Sequence, residues 1–341
     1  MNQRILEHYI EDFHAGIEVD PSEAGTLFDA LIGSDNASLL AELLSAWNTK
    51  STTEQELFTF TSIMRERMKR INSRHDTFVD IVGTGGSRSK TFNVSTAAAF
   101  VAAGADLPVA KHGNRAATSN SGSSDALSML GVNVDGDPEI AGGHLNEYGL
   151  CFMFAPRFHS LSPALALARR SIGRPTIFNN LGPLCNPASA PHHVLGVWDK
   201  DMLEKTAGVL ERLGTKRSWV VHGENGSDEI ALKGITRVAE INEDSIKFFD
   251  ITAADFGVYS LGNGLPSNCT AGESAQIIRD VLDNRLKDQD PERLVLINAA
   301  AAIFVAGKAA KLTEAYEQAE ESVRSGSAAG KLNVLITEAV K

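Results

Sequence analysis

The stretch from Val79 to Asp125, VDIVGTGGSRSKTFNVSTAAAFVAAGADLPVAKHGNRAATSNSGSSD, limits the possible folds of this chain more than any other. Phe78–Val82 reads as a strand feeding the glycine turn Gly83-Thr84-Gly85-Gly86-Ser87, and Ser95–Ala105 as an apolar helix. Pro108–Lys111 reads as a second strand, and Ser123–Leu130 as a helix closed by Gly131. Strands alternating with helical patterns specify an α/β domain with a largely parallel sheet. The alternation continues: strand candidates stand at Val132–Val134, Leu150–Ala155, Val194–Trp198 and Ser218–His222. Two short runs within Arg237–Phe249, RVAEI and SIKFF, suggest a hairpin-like pair, and from Glu273 onward the pattern is helical.

The segment before this stretch reads as helices only. Asp20-Pro21-Ser22-Glu23 has the form of a helix start, with an acceptor, a proline and a capping-box glutamate. Asn36 can cap a helix with Leu39, Leu40, Leu43, Leu44 and Trp47 on one face. Thr53 and Glu56 start another, striped by Leu57, Phe60, Met64 and Met68. Its end carries Arg65, Arg67, Lys69 and Arg70, where cations suit the helix dipole. The expected architecture is a small all-helical N-terminal domain, residues 1–72 joined by part of 165–190, and a large α/β domain, residues 73–341, that binds the ligand. The surplus of apolar helix faces in the first domain suits a homodimer contact.

The turns in the opening stretch are suited to anions. Glycines let successive backbone N–H groups form a nest, and Ser95 and Thr96 stand at a helix N-terminus. Neither GxxxxGK[ST] nor GxGxxG is present, and a lone Gly-Gly turn can equally be a simple tight turn. The second turn, Lys111-His112-Gly113-Asn114-Arg115, follows a strand directly, and ligands bind at the carboxyl edge of parallel sheets. Lys111 and Arg115 with Arg88 and Lys90 would then converge over one polyanion, with His112 a neutral, hydrogen-bonded loop histidine. A net charge of -11 disfavours nonspecific attraction to nucleic acid or to an anionic membrane, so an anion must be captured by local geometry. No apolar run approaches bilayer length, and the amphipathic, acid-bearing MNQRILEHYIEDFHAG is unlike a targeting peptide. Cys151, Cys185 and Cys269 are far apart and odd in number, as expected of reduced, buried thiols in a cytoplasmic protein.

GTGG with KTFNVST, then KHGNR and SGSSD, resembles the anthranilate phosphoribosyltransferase family, related in fold to the pyrimidine nucleoside phosphorylases. The likeness extends through FAPRFH, ARRSIGRPTIFNNLGPLCNPA and GSDEIAL, and so covers essentially the whole chain. It implies transfer of the phosphoribosyl group of 5-phosphoribosyl-1-diphosphate to the amine of anthranilate, giving N-(5-phosphoribosyl)anthranilate and diphosphate, the second step from chorismate to tryptophan. It places Gly83, Gly86, Ser87, Thr91, Asn93, Val94, Ser95 and Thr96 in the donor site, with Lys111, His112, Gly113, Asn114, Arg115, Ser119 and Ser123. Gly83, Asn114 and Arg169 are implied to meet anthranilate, and Ser95, Asp228 and Glu229 to ligate magnesium, two ions per site. Arg169 and Arg170 lie on one helical run and point in different directions, so at most one faces the site. His159 and Arg157 are candidate wall residues without an assigned role.

Two sites, three residues in all, depart from the family pattern. Ser87 stands where an aspartate is common, and Arg174-Pro175 where an apolar residue and an arginine are common. A nucleoside phosphorylase of the same fold is an alternative, distinguished by phosphorolysis of thymidine or uridine. A non-catalytic nucleic-acid-binding paralogue would instead want a basic groove and degraded motifs.

Overall fold

A computed structural model describes residues 1–87, 91–116, 120–243, 245–259, 262 and 264–338. Four helices come first: α1 (Asn2–His14), α2 (Ala24–Ile32), α3 (Ala37–Lys50) and α4 (Glu54–Arg67). There follow β1 (Val79–Gly83), α5 (Val94–Gly104), β2 (Val109–Gly113), α6 (Ser123–Met129), α7 (Pro138–Tyr148) and β3 (Leu150–Phe154). The chain then forms α8 (Ala155–Phe158), α9 (Pro163–Ile172), α10 (Ile177–Leu184), β4 (His192–Gly196), α11 (Met202–Arg212) and β5 (Arg217–Gly223). A hairpin of β6 (Thr236–Asn242) and β7 (Ser245–Ile251) leads to α12 (Ala271–Leu282), α13 (Asp290–Val305), α14 (Leu312–Arg324) and α15 (Ser327–Glu338).

The strands form one sheet in the order β3-β2-β1-β4-β5-β6-β7. β3, β2, β1, β4 and β5 are parallel, and β6 and β7 join antiparallel, so the hairpin pattern in the sequence corresponds to a real pair. Alternation along each strand divides its side chains between two cores. Val79, Ile81, Val194, Trp219 and Val221 face α5, α6 and α12–α15. Val82, Leu195, Val220 and Ile241 face the other side, where α9, α10 and α11 pack together with α1–α4. The alanine-rich α5 and α13 are buried nearly all round, because small side chains let helices approach sheet and neighbours closely. No helix among the described residues is long and apolar enough to cross a membrane, and all three cysteines are free and buried.

Two sequence expectations shift. Val132–Val134 is not a strand: the Val132 N–H turns back to the Leu127 carbonyl (3.0 Å) to close α6, and the two valines are buried in the core without a ladder partner. The capping box expected at Asp20 does not form. The Asp20 carboxylate accepts from the Ser22 N–H (2.8 Å) and hydroxyl, while Glu23 accepts from the Tyr9 hydroxyl (2.9 Å), so α2 starts three residues beyond Pro21, at Ala24. The caps at Asn36 and at Thr53 with Glu56 are present. The basic cluster at the end of α4 is structural: Arg65 donates to the Leu184 carbonyl (3.1 Å) and to Ser189, and Arg67 pairs with Asp29.

Glu56 fixes the junction of the N-terminal helices. Its buried carboxylate accepts from Lys50 Nζ (2.6 Å), the Thr53 N–H (3.0 Å) and the Val19 N–H (3.0 Å). Replacing it leaves a buried ammonium and two backbone donors without a partner. Glu56→Ala should therefore destabilise the chain by about 3–5 kcal/mol, seen as a clearly lower midpoint of thermal unfolding. An unchanged midpoint would show that the pair has no structural weight.

Candidate active site

The chain runs outward from β1 in two directions, to β2 and β3 on one side and to β4 and β5 on the other. This is a topological switch point, where loops leaving the carboxyl ends of neighbouring strands part to open a crevice. A cleft of about 290 Å³ lies there, between the strand-end loops and a wall supplied by α4, α9 and α10.

The first turn follows β1. Gly85 and Gly86 both have left-handed φ (65° and 82°), and a Cβ on Gly86 would come within 2.6 Å of Pro175 Cγ. The peptide between Thr84 and Gly85 is held at both ends. Its carbonyl accepts from Asn179 Nδ2 (3.1 Å), and its N–H donates to Asp228 Oδ2 (2.8 Å). Ser87 Oγ donates to the Gly226 carbonyl (3.0 Å), so the residue that departs from the family pattern fastens the turn to the loop carrying Asp228. Arg88 and Lys90, expected over the same anion, lie outside the described residues, as does Ser119.

Lys111 on β2 is buried, and its ammonium donates to the Ile81 carbonyl (2.5 Å) and to Ser95 Oγ (3.2 Å) at the start of α5. Burial pulls its pKa down to about 8, with Asp80 opposing the fall. Burial pushes Asp80 up to about 6 against the pull of Lys111, and its carboxylate accepts from Asn186 Nδ2 (2.7 Å) and the His112 N–H (3.2 Å). Arg115 does not converge with Lys111. It sits at the rim against Asp125 (3.5 Å) and Asp135 (3.7 Å), over the Phe154 ring, where the two carboxylates hold its charge. His112 is neutral: burial, and then His159, hold its pKa well below the usual histidine range. Its Nδ1 faces the Gly182 carbonyl (3.0 Å), and its Nε2 lies 3.3 Å from His159 Nε2.

Gly83, Gly86, Ser87, Thr91, Asn93, Val94 and Ser95 line the cleft, as do Lys111, His112, Gly113, Asn114, Arg115 and Ser123. Thr96 does not: its side chain is buried behind the α5 N-terminus, with Oγ1 unpaired, because helical geometry turns it away from Ser95 and into the core.

Arg169 and Arg170 separate as helix geometry requires. Arg170 is exposed, whereas Arg169 lines the cleft over the Phe178 ring, with Nη2 donating to Asn179 Oδ1 (3.4 Å). Its Nε is buried without a partner, and burial lowers its pKa to about 10, leaving a cation at neutral pH. Apolar wall faces it from Met64, Leu161, Phe178 and Pro183. His159 is part of this wall, while Arg157 is exposed outside it. Arg174 is also exposed, and the Pro175 carbonyl accepts from Asn48 Nδ2 (2.8 Å). Sequence reasoning missed Asn179. Its signal was the Thr176–Asn179 capping spacing, which places this carboxamide at the first turn of α10, in reach of the glycine turn.

Asp228 and Glu229 close the cleft on the β4 side. Burial raises both pKa values, Glu229 to about 8 with Asp228 adding to the rise, and Thr91 Oγ1 donates to Glu229 (3.3 Å). Adjacent carboxylates held in this way fit a divalent cation, whose charge would relieve the pair. Among the described residues no group of three or more His, Cys, Asp or Glu side chains could hold a metal, so a cation bound at this pair would need hydroxyl or ligand oxygens as well.

Residues 75–329 match the model of the glycosyl transferase family, a/b domain. Anthranilate phosphoribosyltransferase of Moorella thermoacetica is 40% identical over 334 residues, covering 97% of this chain and 98% of that one. The crystal structure of the Thermus thermophilus enzyme superposes with a TM-score of 0.83 at 34% identity, over 98% of this chain and 99% of that one. The Saccharomyces cerevisiae enzyme, solved in complex with PRPP and Mg, superposes with a TM-score of 0.87 at 26% identity, over 99% and 98%.

Gly196 measures how tightly the cleft is built, since a Cβ there would lie 1.7 Å from the Asp228 carbonyl oxygen. Gly196→Ala must push the 226–229 loop off the ends of β1 and β4. A crystal structure should show the loop displaced, and calorimetry a lower unfolding midpoint. An undisturbed loop would mean that the strand end can yield.

Proposed function

The chain belongs to the anthranilate phosphoribosyltransferase family, and we propose that its cleft carries out the family's reaction with donor and acceptor bound on opposite sides of the Thr84–Gly85 peptide. The activity is transfer of a phosphoribosyl group to the amine of anthranilate, a reaction of tryptophan biosynthesis. The observation that carries the arrangement is the doubly bonded peptide, with Asp228 at its N–H and Asn179, the partner of Arg169, at its carbonyl.

On one side lie the parts that suit a ribose phosphate ester: the turn from Gly83 to Ser87, Thr91, Asn93, Ser95 at the start of α5, Lys111, Asn114 and Ser123. Asp228 and Glu229, with the Ser95 hydroxyl, would hold magnesium, two ions being our reading. Bound there, magnesium supplies positive charge against the diphosphate that departs. On the other side, Arg169 offers an unpaired, desolvated N–H to a carboxylate, and Met64, Leu161 and Phe178 offer apolar area to an aromatic ring. Gly83 and Asn114 stand between the two sides.

The chemistry asks for little acid–base work. An aryl amine is neutral near pH 7 and can attack without prior loss of a proton. Breaking the C1–O bond places positive charge on the ribose and negative charge on the leaving diphosphate. Lys111, buried and cationic, together with backbone N–H groups at the glycine turn and at α5, is fixed before the substrates arrive, and positioning and electrostatics supply the main terms. Neutral His112 and His159 exclude water from the acceptor side and bring no competing charge. Division of the chain into residues 1–72 with part of 165–190, and 73–341, puts the cleft between two lobes. Pairing of two copies through α1–α4 belongs to the same reading, supported by the exposed Ile17 after α1.

Loss of anthranilate fluorescence in the presence of phosphoribosyl diphosphate and magnesium tests the activity directly, and well-folded protein without turnover would overturn it. Arg169→Ala should raise the KM for anthranilate about tenfold or more, the worth of a charge-assisted hydrogen bond, and leave the donor KM nearly unchanged. The reverse order would move Arg169 to the donor side. Asp228→Asn combined with Glu229→Gln should abolish turnover and shift the magnesium dependence, whereas wild-type rates would remove the pair from the site.

A further inference from the structure

Asn93 stands between β1 and α5 and lines the cleft, yet its polar atoms are largely committed to the protein. Its Oδ1 accepts from Ser121 Oγ (2.6 Å) and from Ser274 Oγ (2.7 Å), and its Nδ2 donates to the Ser121 carbonyl (3.3 Å). The Asn93 N–H donates in turn to Ser274 Oγ (2.9 Å), so the Ser274 hydroxyl both receives from and gives to the same residue. Ser274 is fully buried in the first turn of α12, whose start is fixed by the Thr270–Glu273 capping box. The Asn93 carbonyl accepts from the Thr96 and Ala97 N–H groups (3.1 Å each), so the setting of Asn93 is also the setting of the first turn of α5.

Two neighbouring bonds follow the same course. Asn120 Nδ2 donates to the Asn268 carbonyl (3.1 Å), and the Cys269 N–H reaches the Thr91 carbonyl (3.4 Å). Asn268 and Cys269 themselves line the cleft. The strip from Asn268 to Ser274 is thus bonded to both anion-side loops, one after β1 and one before α6, although it lies about 150 to 180 residues away in the chain.

We propose that Ser274 is a positioning residue of the donor site: by holding Asn93 it locks the β1–α5 and β2–α6 loops into one frame, so that both present their polar groups to the phosphoribosyl donor together. The proposal rests on the reading of this side of the cleft as the donor site. Ser274 touches no substrate. It acts through Asn93, whose Oδ1 accepts one hydroxyl from each side and whose carboxamide therefore cannot turn.

The test is steady-state kinetics on Ser274→Ala, Ser274→Thr and Ser121→Ala, together with calorimetric binding of phosphoribosyl diphosphate and magnesium in the absence of anthranilate. Ser274→Ala should raise the donor KM and weaken donor binding about tenfold, with the anthranilate KM within about twofold of wild type. Ser274→Thr, which keeps the hydroxyl, should bring the donor KM most of the way back. Should Ser274→Ala fail to fold, Ser121→Ala removes the other hydroxyl on Oδ1 from the loop side and should raise the donor KM alone. A folded Ser274→Ala or Ser121→Ala protein with wild-type donor binding overturns the proposal, and so do equal rises in both KM values. Wild-type protein that binds the donor but transfers nothing would instead fault the catalytic reading alone, leaving the binding comparison to decide the role of Ser274.

Discussion

The Thr84–Gly85 peptide is the fixed point of this molecule. A peptide unit has one donor and one acceptor aimed in opposite directions, and both are taken here by side chains from distant parts of the chain. Through Asn179 the carbonyl is joined to Arg169 and the α9–α10 wall. Through Asp228 the N–H is joined to the acidic loop that caps β4 and β5. The glycines on either side let both groups approach, and the switch point of the sheet gives the crevice its place. Arg169, through Asn179, and the Asp228–Glu229 loop are thereby tied to opposite ends of one peptide unit.

Electrostatics in the cleft is local. The chain carries a net charge of -11, so its overall field repels a polyanion, and capture depends on groups that burial has prepared. Lys111 is set between the Ile81 carbonyl and Ser95 with Asp80 close by, and it pays for its desolvation with those partners. Arg115 is already satisfied by Asp125 and Asp135 at the rim. The two cations look alike in the motif KHGNR and differ in what surrounds them.

That difference marks the boundary of what could be read from sequence. The alternation of strands and helices, the Thr53–Glu56 and Asn36 caps, the β6–β7 hairpin and the divergence of Arg169 from Arg170 follow from local chemistry and helix period, and each was legible. Val132–Val134 was misread because alternation records burial, not ladder pairing. Asp20 was misread because a competing acceptor pattern, with Glu23 drawn to Tyr9, moved the start of α2. Thr96 was carried over with its neighbour Ser95, although adjacent helical residues diverge by about 100°. The Asn179–Thr84, Ser87–Gly226 and Ser274–Asn93 bonds were not legible, since each joins residues more than ninety positions apart.

The burial of α5 has a mechanical consequence. Its alanine face is packed against α13, α14 and α15, so the helix that bears Ser95 moves only if a large part of the core moves with it. The opposite wall is carried by α9 and α10 on the N-terminal helices, and reaches the glycine turn through Asn179–Thr84 and the contact of Pro175 with Gly86. Ser95 is thus borne by a helix sunk in the core, and a displacement of the wall that bears Arg169 would have to strain the Asn179–Thr84 hydrogen bond.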